Sequence, residues 1–203
     1  MTFGRVRVGE VLKLRRSEVA IDPIVEYTLI GVYSFGNGIF HRSPQPGAEL
    51  GDYKFFEIRP GDLVLSNIQA WEGAIAFAGP AESGAIGTHR FLSYVPADSR
   101  IDANWARYFF LSEVGFGLIQ RAAPGTVKRN RTLSIGRFEA LEIPLPPIEE
   151  QQSIASHLDR LANLQKAVQQ RLTLAERLSR ALFESRRDGL MMTATTDRPE
   201  TVP

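Results

Sequence analysis

The sequence contains no cysteine. That excludes disulfides, thiolate zinc sites and cysteine nucleophiles, and it fits a cytoplasmic protein. Histidine is scarce: His41, His89 and His157 stand far apart and show no metal-ligand spacing. No apolar run approaches the ~20 residues that a membrane span requires. The stretch MTFGRVRVGE at the start carries charges but lacks the apolar core of a signal peptide, so neither export nor a membrane association is expected. An excess of either charge is missing too. There are 24 Lys and Arg against 23 Asp and Glu, a net charge of +1, so bulk charge does not point to a polyanion as partner.

The chain has 203 residues, enough for one globular domain and an extension, and its 43% hydrophobic and 23% charged content supports a packed core. The charge is unevenly spread. Between Glu113 and Glu139 the only charged residues are basic: Arg121, Lys128, Arg129, Arg131 and Arg137. Such a strip suits phosphate contact, because each neutralised phosphate releases condensed counterions; a solvated loop is the plain alternative.

Catalytic patterns are lacking as well. Asp52-Tyr53-Lys54 matches the D-x-K half of a nuclease motif, but no Pro-Asp pair precedes it. Gly36-Asn37-Gly38 has no third glycine for a dinucleotide fingerprint and reads as a hairpin turn. No methyl-donor glycine motif and no Asn/Asp-Pro-Pro-aromatic motif is present. Neither catalysis nor a bound cofactor is therefore expected.

The pattern of residues predicts an α+β fold, with strands mostly first and helices later. Strand candidates are 27–33, 53–58, 63–66, 74–78 and 91–95, separated by Gly- and Pro-containing turns such as Pro60-Gly61-Asp62. Asp102 is a candidate N-cap for a helix running through Val114, whose continuation towards Gln120 is weakened by Gly115 and Gly117. Ser134 could cap a short helix ending near Leu141, followed by a strand-like Glu142-Ile143 and the prolines 144, 146 and 147. These divide the chain into a domain over 1–145, a long helix over 146–188 and a disordered tail over 189–203.

The helix is the plainest periodic signal. From Ile148 to Arg187 there is neither Gly nor Pro. Its apolar positions are Ile154, Leu158, Leu161, Leu164, Val168, Leu172, Ala175, Leu178 and Leu182: eight intervals over 28 residues, a mean of 3.5. That is the coiled-coil period, and such a stripe needs a partner. Arg171 falls on a d position, where it could set register, unless Leu172 takes its place in a shifted seam.

The run from Ile143 to Asp159, IPLPPIEEQQSIASHLD, closely resembles the boundary motif of type I restriction-modification specificity subunits. There a recognition domain ends in IPLPP and a long helix begins with EQ..IA..LD. Gly61-Asp62-Leu63-Val64-Leu65-Ser66 with Gly73 resembles that family's GDILIS strand and turn, and Gly125-Thr126 with 133–141 resembles its approach to the boundary. The resemblance spans roughly 5–187. It implies a DNA target-recognition domain without catalysis, which directs a methyltransferase subunit and an ATP-dependent restriction subunit to a bipartite double-stranded DNA site. S-adenosylmethionine would bind the methyltransferase and not this chain. Typical members carry two recognition domains and two long helices, and this sequence has one of each. The resemblance therefore implies a half-length form that pairs through its helix with itself or with another half. A protein-interaction scaffold and a stand-alone DNA-binding regulator remain the alternatives.

Three loops are candidates for DNA contact. Asn67, Gln69 and Trp71 lie between two strands, and Asn and Gln can pair bidentately with adenine; otherwise this is a surface turn with Trp71 folded into the core. Thr88, His89 and Arg90 precede a strand, where Arg90 reads guanine, holds a phosphate or is an ordinary strand-edge charge. The third is Gly125 to Arg131, with Thr126, Lys128, Arg129, Asn130 and Arg131.

Overall fold

Short strands dominate the first half. They are β1 (Arg5–Arg7), β2 (Leu12–Arg15), β3 (Glu26–Tyr27), β4 (Ile30–Val32), β5 (Ile39–His41), β6 (Gln45–Pro46), β7 (Phe55–Glu57), β8 (Leu63–Ser66), β9 (Ile75–Phe77), β10 (Ile86–Thr88), β11 (Phe91–Pro96) and, much later, β12 (Glu142–Pro144). The helices are α1 (Val8–Val11), α2 (Ala103–Leu111), α3 (Glu113–Ala122), α4 (Ile135–Glu139) and α5 (Ile148–Ala194). The computed structural model describes residues 3–125 and 131–194, with side chains to residue 184. The fold is α+β, strand-rich first and ending in a long helix.

An antiparallel sheet in the order β2-β11-β8-β9 forms the middle layer. β8 is LVLS and buried throughout, so both of its faces are covered. Leu63 and Leu65 point to one side with Ile75, Leu92 and Tyr94, against Trp105 and Phe110 of α2 and Leu118 and Ile119 of α3. Val64 points to the other, with Ala74 and Ala76, against Ile30 and Val32 of β4. The alternation follows from the two-residue period of a strand. The turn before β8 is set by Gly61, at φ +95°, and by Asp62, whose buried carboxylate accepts from the Arg59 N–H at 3.0 Å and pairs with Arg15.

Asp102 caps α2 as expected, accepting from the Trp105 N–H at 2.6 Å. The expected single helix through Val114 is instead two. Ser112 ends α2 and caps α3, accepting from the Gly115 N–H at 3.3 Å. The glycines that argued against a continuation are inside α3, and Gly115 is needed there because a Cβ on it would lie 1.9 Å from the Phe109 carbonyl oxygen. Val114 is exposed accordingly. Ser134 does cap a short helix, α4, which ends at Glu139. β12 pairs with β1, Val6 opposite Ile143, a closure between distant segments that no local pattern announces.

The compact unit continues to Ser156, beyond the expected boundary at 145, because the first turns of α5 belong to it. Ala155 and Gln151 are both buried there. Gln151 Oε1 accepts from the Asp102 N–H at 2.9 Å, and its amide donates to the carbonyls of Arg100 at 2.9 Å and Pro146 at 2.8 Å. The second unit, from His157, is the rest of α5. The helix runs past Asp188-Gly189, where its end was expected, to Ala194. At 47 residues it measures ~70 Å. Among the described residues, no helix is long and apolar enough to cross a membrane.

Candidate nucleic-acid interface

The loop between β8 and β9 is bonded through Asn67 to the loop before β11 and to Leu133, which follows the third candidate loop. Its N–H donates to the Arg90 carbonyl at 2.8 Å, and its carbonyl accepts from the Leu133 N–H at 2.7 Å. Three segments distant in sequence thus meet at one end of the sheet, where β8 finishes and β11 begins. Asn67 itself is half-buried, its amide oxygen enclosed, and its main chain is the link.

Trp71 is half-buried against the helix-side core, and its indole N–H donates to the Ile68 carbonyl at 3.0 Å. The Arg131 guanidinium lies over the ring, 5.2 Å from its centroid, and Arg131 Nε donates to the Gly125 carbonyl at 3.1 Å. Arg131 is therefore held on an indole platform, a cation–π contact, and bridges the two ends of the third loop. Thr126, Lys128, Arg129 and Asn130 lie outside the described residues.

Gln69, Thr88, His89 and Arg90 come together around one groove of about 340 Å³. Its apolar lining includes Phe40 and Phe91 beside the strand Ile30–Val32, whose side chains are buried in the core, and its rim adds Arg42 and Tyr53. No acidic side chain lines it. The groove is rigidly built. The Phe40 ring rests on Gly31, where a Cβ would come within 2.1 Å of it, and lies 4.5 Å from the Tyr33 ring. The hairpin tip after β4 is tied down by the Phe35 N–H to the Glu72 carbonyl and the Gly36 N–H to the Gly73 carbonyl, both at 2.9 Å. Phe35 is 80% exposed there and sits at φ +61°, a region that a bulky side chain rarely occupies.

Arg16 braces the loop before β11 from behind. Its guanidinium donates to the carbonyls of Phe91 at 3.0 Å and His89 at 3.1 Å and stacks 4.3 Å over Phe56. Burial pulls its pKa below the ordinary arginine value. Sequence reasoning missed Arg16, Arg42 and Tyr53. Only the hairpin's return past the groove brings Arg42 in, and Tyr53 had been read with Asp52 and Lys54 as half of a nuclease motif. Lys54 instead pairs with Glu18 at 3.1 Å. Among the described residues, no three His, Asp or Glu side chains are grouped as a metal ion would need.

In the second unit, Leu161, Leu164, Val168, Leu172, Leu178 and Leu182 are each more than half exposed. Ile154, at 37%, is exposed and Leu158 half-buried. Leu174 and Phe183 are exposed outside the expected stripe.

No curated protein matches the chain. Among solved structures, the HsdS subunit from Thermoanaerobacter tengcongensis superposes with a TM-score of 0.68 at 19% identity, covering 100% of this chain and 51% of that one. A structure describing complex assembly and conformational transition of the type I R-M system gives 0.64, at 19% identity and the same coverage. The type I restriction-modification S subunit from M. genitalium gives 0.50 at 19% identity, over 82% of this chain and 41% of that one. The fold is shared with all three, and the chain spans about half the length of the first two. The sequence model for the type I restriction modification DNA specificity domain matches residues 50–175, well over half of the chain. The chain therefore belongs to the type I restriction-modification DNA specificity family, whose domain recognises DNA sequence.

Proposed function

We propose that the chain is a half-length specificity subunit, which pairs through the exposed stripe of α5 and presents two recognition units to a bipartite DNA site. The observation that carries this reading is the groove, lined by no acidic side chain, at which Gln69 meets Thr88, His89 and Arg90, with Asn67 bonded to Arg90 and to Leu133. Gln69, Thr88, His89 and Arg90 face the duplex in this reading, and Lys128 and Arg129 neutralise phosphates. Asn67, Trp71 and Arg131 hold the edge together, the last two as a stacked pair. The partners are a methyltransferase subunit, which brings S-adenosylmethionine and the chemistry, and an ATP-dependent restriction subunit; the assembly works in the cytoplasm. The partner helix is a second copy of this chain or another half-subunit. A stripe of 3.5-residue period, whose Leu and Val side chains from Leu161 to Leu182 are more than half exposed, supports such pairing.

Co-expression with a type I methyltransferase subunit, followed by sequencing of methylated positions, tests the assignment. The expected outcome is a stable complex and a split motif, an inverted repeat if two identical copies pair. A complex that forms but methylates without sequence preference would leave only a scaffold role.

A further inference from the structure

Two arginines stand on the groove rim with no side-chain partner among the described residues, unlike several others of the recognition unit. Arg15 pairs with Asp62, Arg59 with Glu57 and Arg100 with Asp98. Arg16 and Arg131 are held by carbonyls and rings. Among the described residues, the side chains of Arg42 and Arg90 have no such partner, both are exposed, and both line the groove. No carboxylate in the lining competes for them.

An arginine offers donors only. Of the four base edges in the major groove, only guanine offers two acceptors and no donor; adenine and cytosine carry an amino donor, and thymine pairs one acceptor with a methyl group. The apolar walls bear on the choice between base and phosphate. Phe40 and Phe91, both only partly buried, accept the flat, weakly polar flank of a base pair, whereas a phosphate between them would lose hydration without return. The wall is also the flank of the β4–β5 hairpin, and a two-stranded ribbon fits the major groove.

We propose that this groove is the base-reading site, with Arg42 and Arg90 each donating to the N7 and O6 atoms of a guanine. Gln69 and Thr88 sit beside them to meet adjacent base edges. Arg42 thereby becomes a specificity-determining residue from a segment with no DNA-binding signature. The inference rests on the DNA-recognition reading above and narrows it to one chemistry.

The full chain is incubated at low salt with a duplex library carrying a randomised 20-base-pair core, and the bound fraction is sequenced. Wild type is expected to select a motif containing guanine. Arg42→Ala and Arg90→Ala should each erase the preference for one guanine, roughly tenfold or more in relative affinity, and leave the other positions intact. Arg42→Lys and Arg90→Lys keep the charge and lose the planar fork, so bulk affinity and salt dependence should hold while guanine preference falls. Unchanged thermal midpoints verify folding, which substitution of exposed side chains leaves intact. A wild-type motif retained by all four variants, or one without guanine, overturns the groove assignment alone. Absence of any selected motif overturns the DNA-recognition reading together with it.

Discussion

Gln151 is buried at the point where the prolines give way to α5, and all of its side-chain capacity except one lone pair is spent on main-chain groups. Gln151→Ala removes three hydrogen bonds, at about 1 kcal/mol each in net terms. The Asp102 N–H and the carbonyls of Arg100 and Pro146 lose their partner, and each adds up to a further 1–3 kcal/mol where water does not replace it. The vacated space is lined by polar groups, so partial hydration is expected and the total should fall near 3–5 kcal/mol. For a domain of this size that lowers the thermal midpoint by roughly 10 °C. Gln151→Glu is the sharper probe. It keeps the acceptor for Asp102 but turns the donor into an oxygen facing two carbonyls. The buried carboxyl then has a raised pKa, so the variant should recover stability as pH falls toward about 4 and lose it as pH rises through the folded value. Urea unfolding of the full chain at several pH values measures both variants. A loss below about 1 kcal/mol for Gln151→Ala, or a Gln151→Glu variant as stable as wild type at pH 7, would refute the argument that these bonds close the start of the helix.

Leu161→Asp with Leu178→Asp puts unpaired charges into the proposed seam; light scattering should show a dimer becoming a monomer, and an unchanged mass would remove the seam from the pairing surface. Phe35→Gly relieves a left-handed conformation at an exposed position and should raise stability by about 1 kcal/mol in thermal unfolding; a drop would mean that the ring contributes more than its conformation costs. Burial and then the adjacent Glu139 carboxylate push the Tyr94 hydroxyl above its ordinary value. Its protonated form therefore supports folding fully below pH ~10, and that support drains away as pH rises further, at up to about 1.4 kcal/mol per pH unit. Tyr94→Phe should flatten this alkaline slope, and a slope identical to wild type would assign the loss to other groups. A seven-residue insertion in the middle of α5 keeps the heptad phase and adds ~10.5 Å, so the gap in a methylated split motif should grow by about 3 base pairs; active protein with the original gap would disqualify the helix as the spacer.

Features that depend on neighbours in the chain were legible in the sequence. β8 was readable because an unbroken apolar strand between Gly61-Asp62 and a turn has little choice but burial on both faces. The caps Asp102 and Ser134 were readable because a short polar side chain can satisfy an orphan N–H three residues on. α5 and its stripe followed from period alone, and the family from the proline-to-helix motif. The break at Ser112 was not readable, because Gly115 answers to the Phe109 carbonyl in the preceding helix rather than to local propensity. Nor did Gln151 in the EEQQ run declare its role, since its three partners are main-chain groups, two of them about fifty residues away.

The candidate edge belongs almost wholly to the tertiary structure. Composition and motif proposed Gln69 in one loop and Thr88, His89 and Arg90 in another, with nothing to join the two. Their meeting at one groove, the conversion of Trp71 into a platform for Arg131 and the recruitment of Arg42 all depend on long-range pairing. Asn67 must bond to Arg90 and Leu133, and the β4–β5 hairpin must fold over β8. Local sequence sets which residues are polar, apolar or able to turn. Which of them share a surface is decided only when burial of β8 on both faces forces hairpin, sheet and helices into fixed layers.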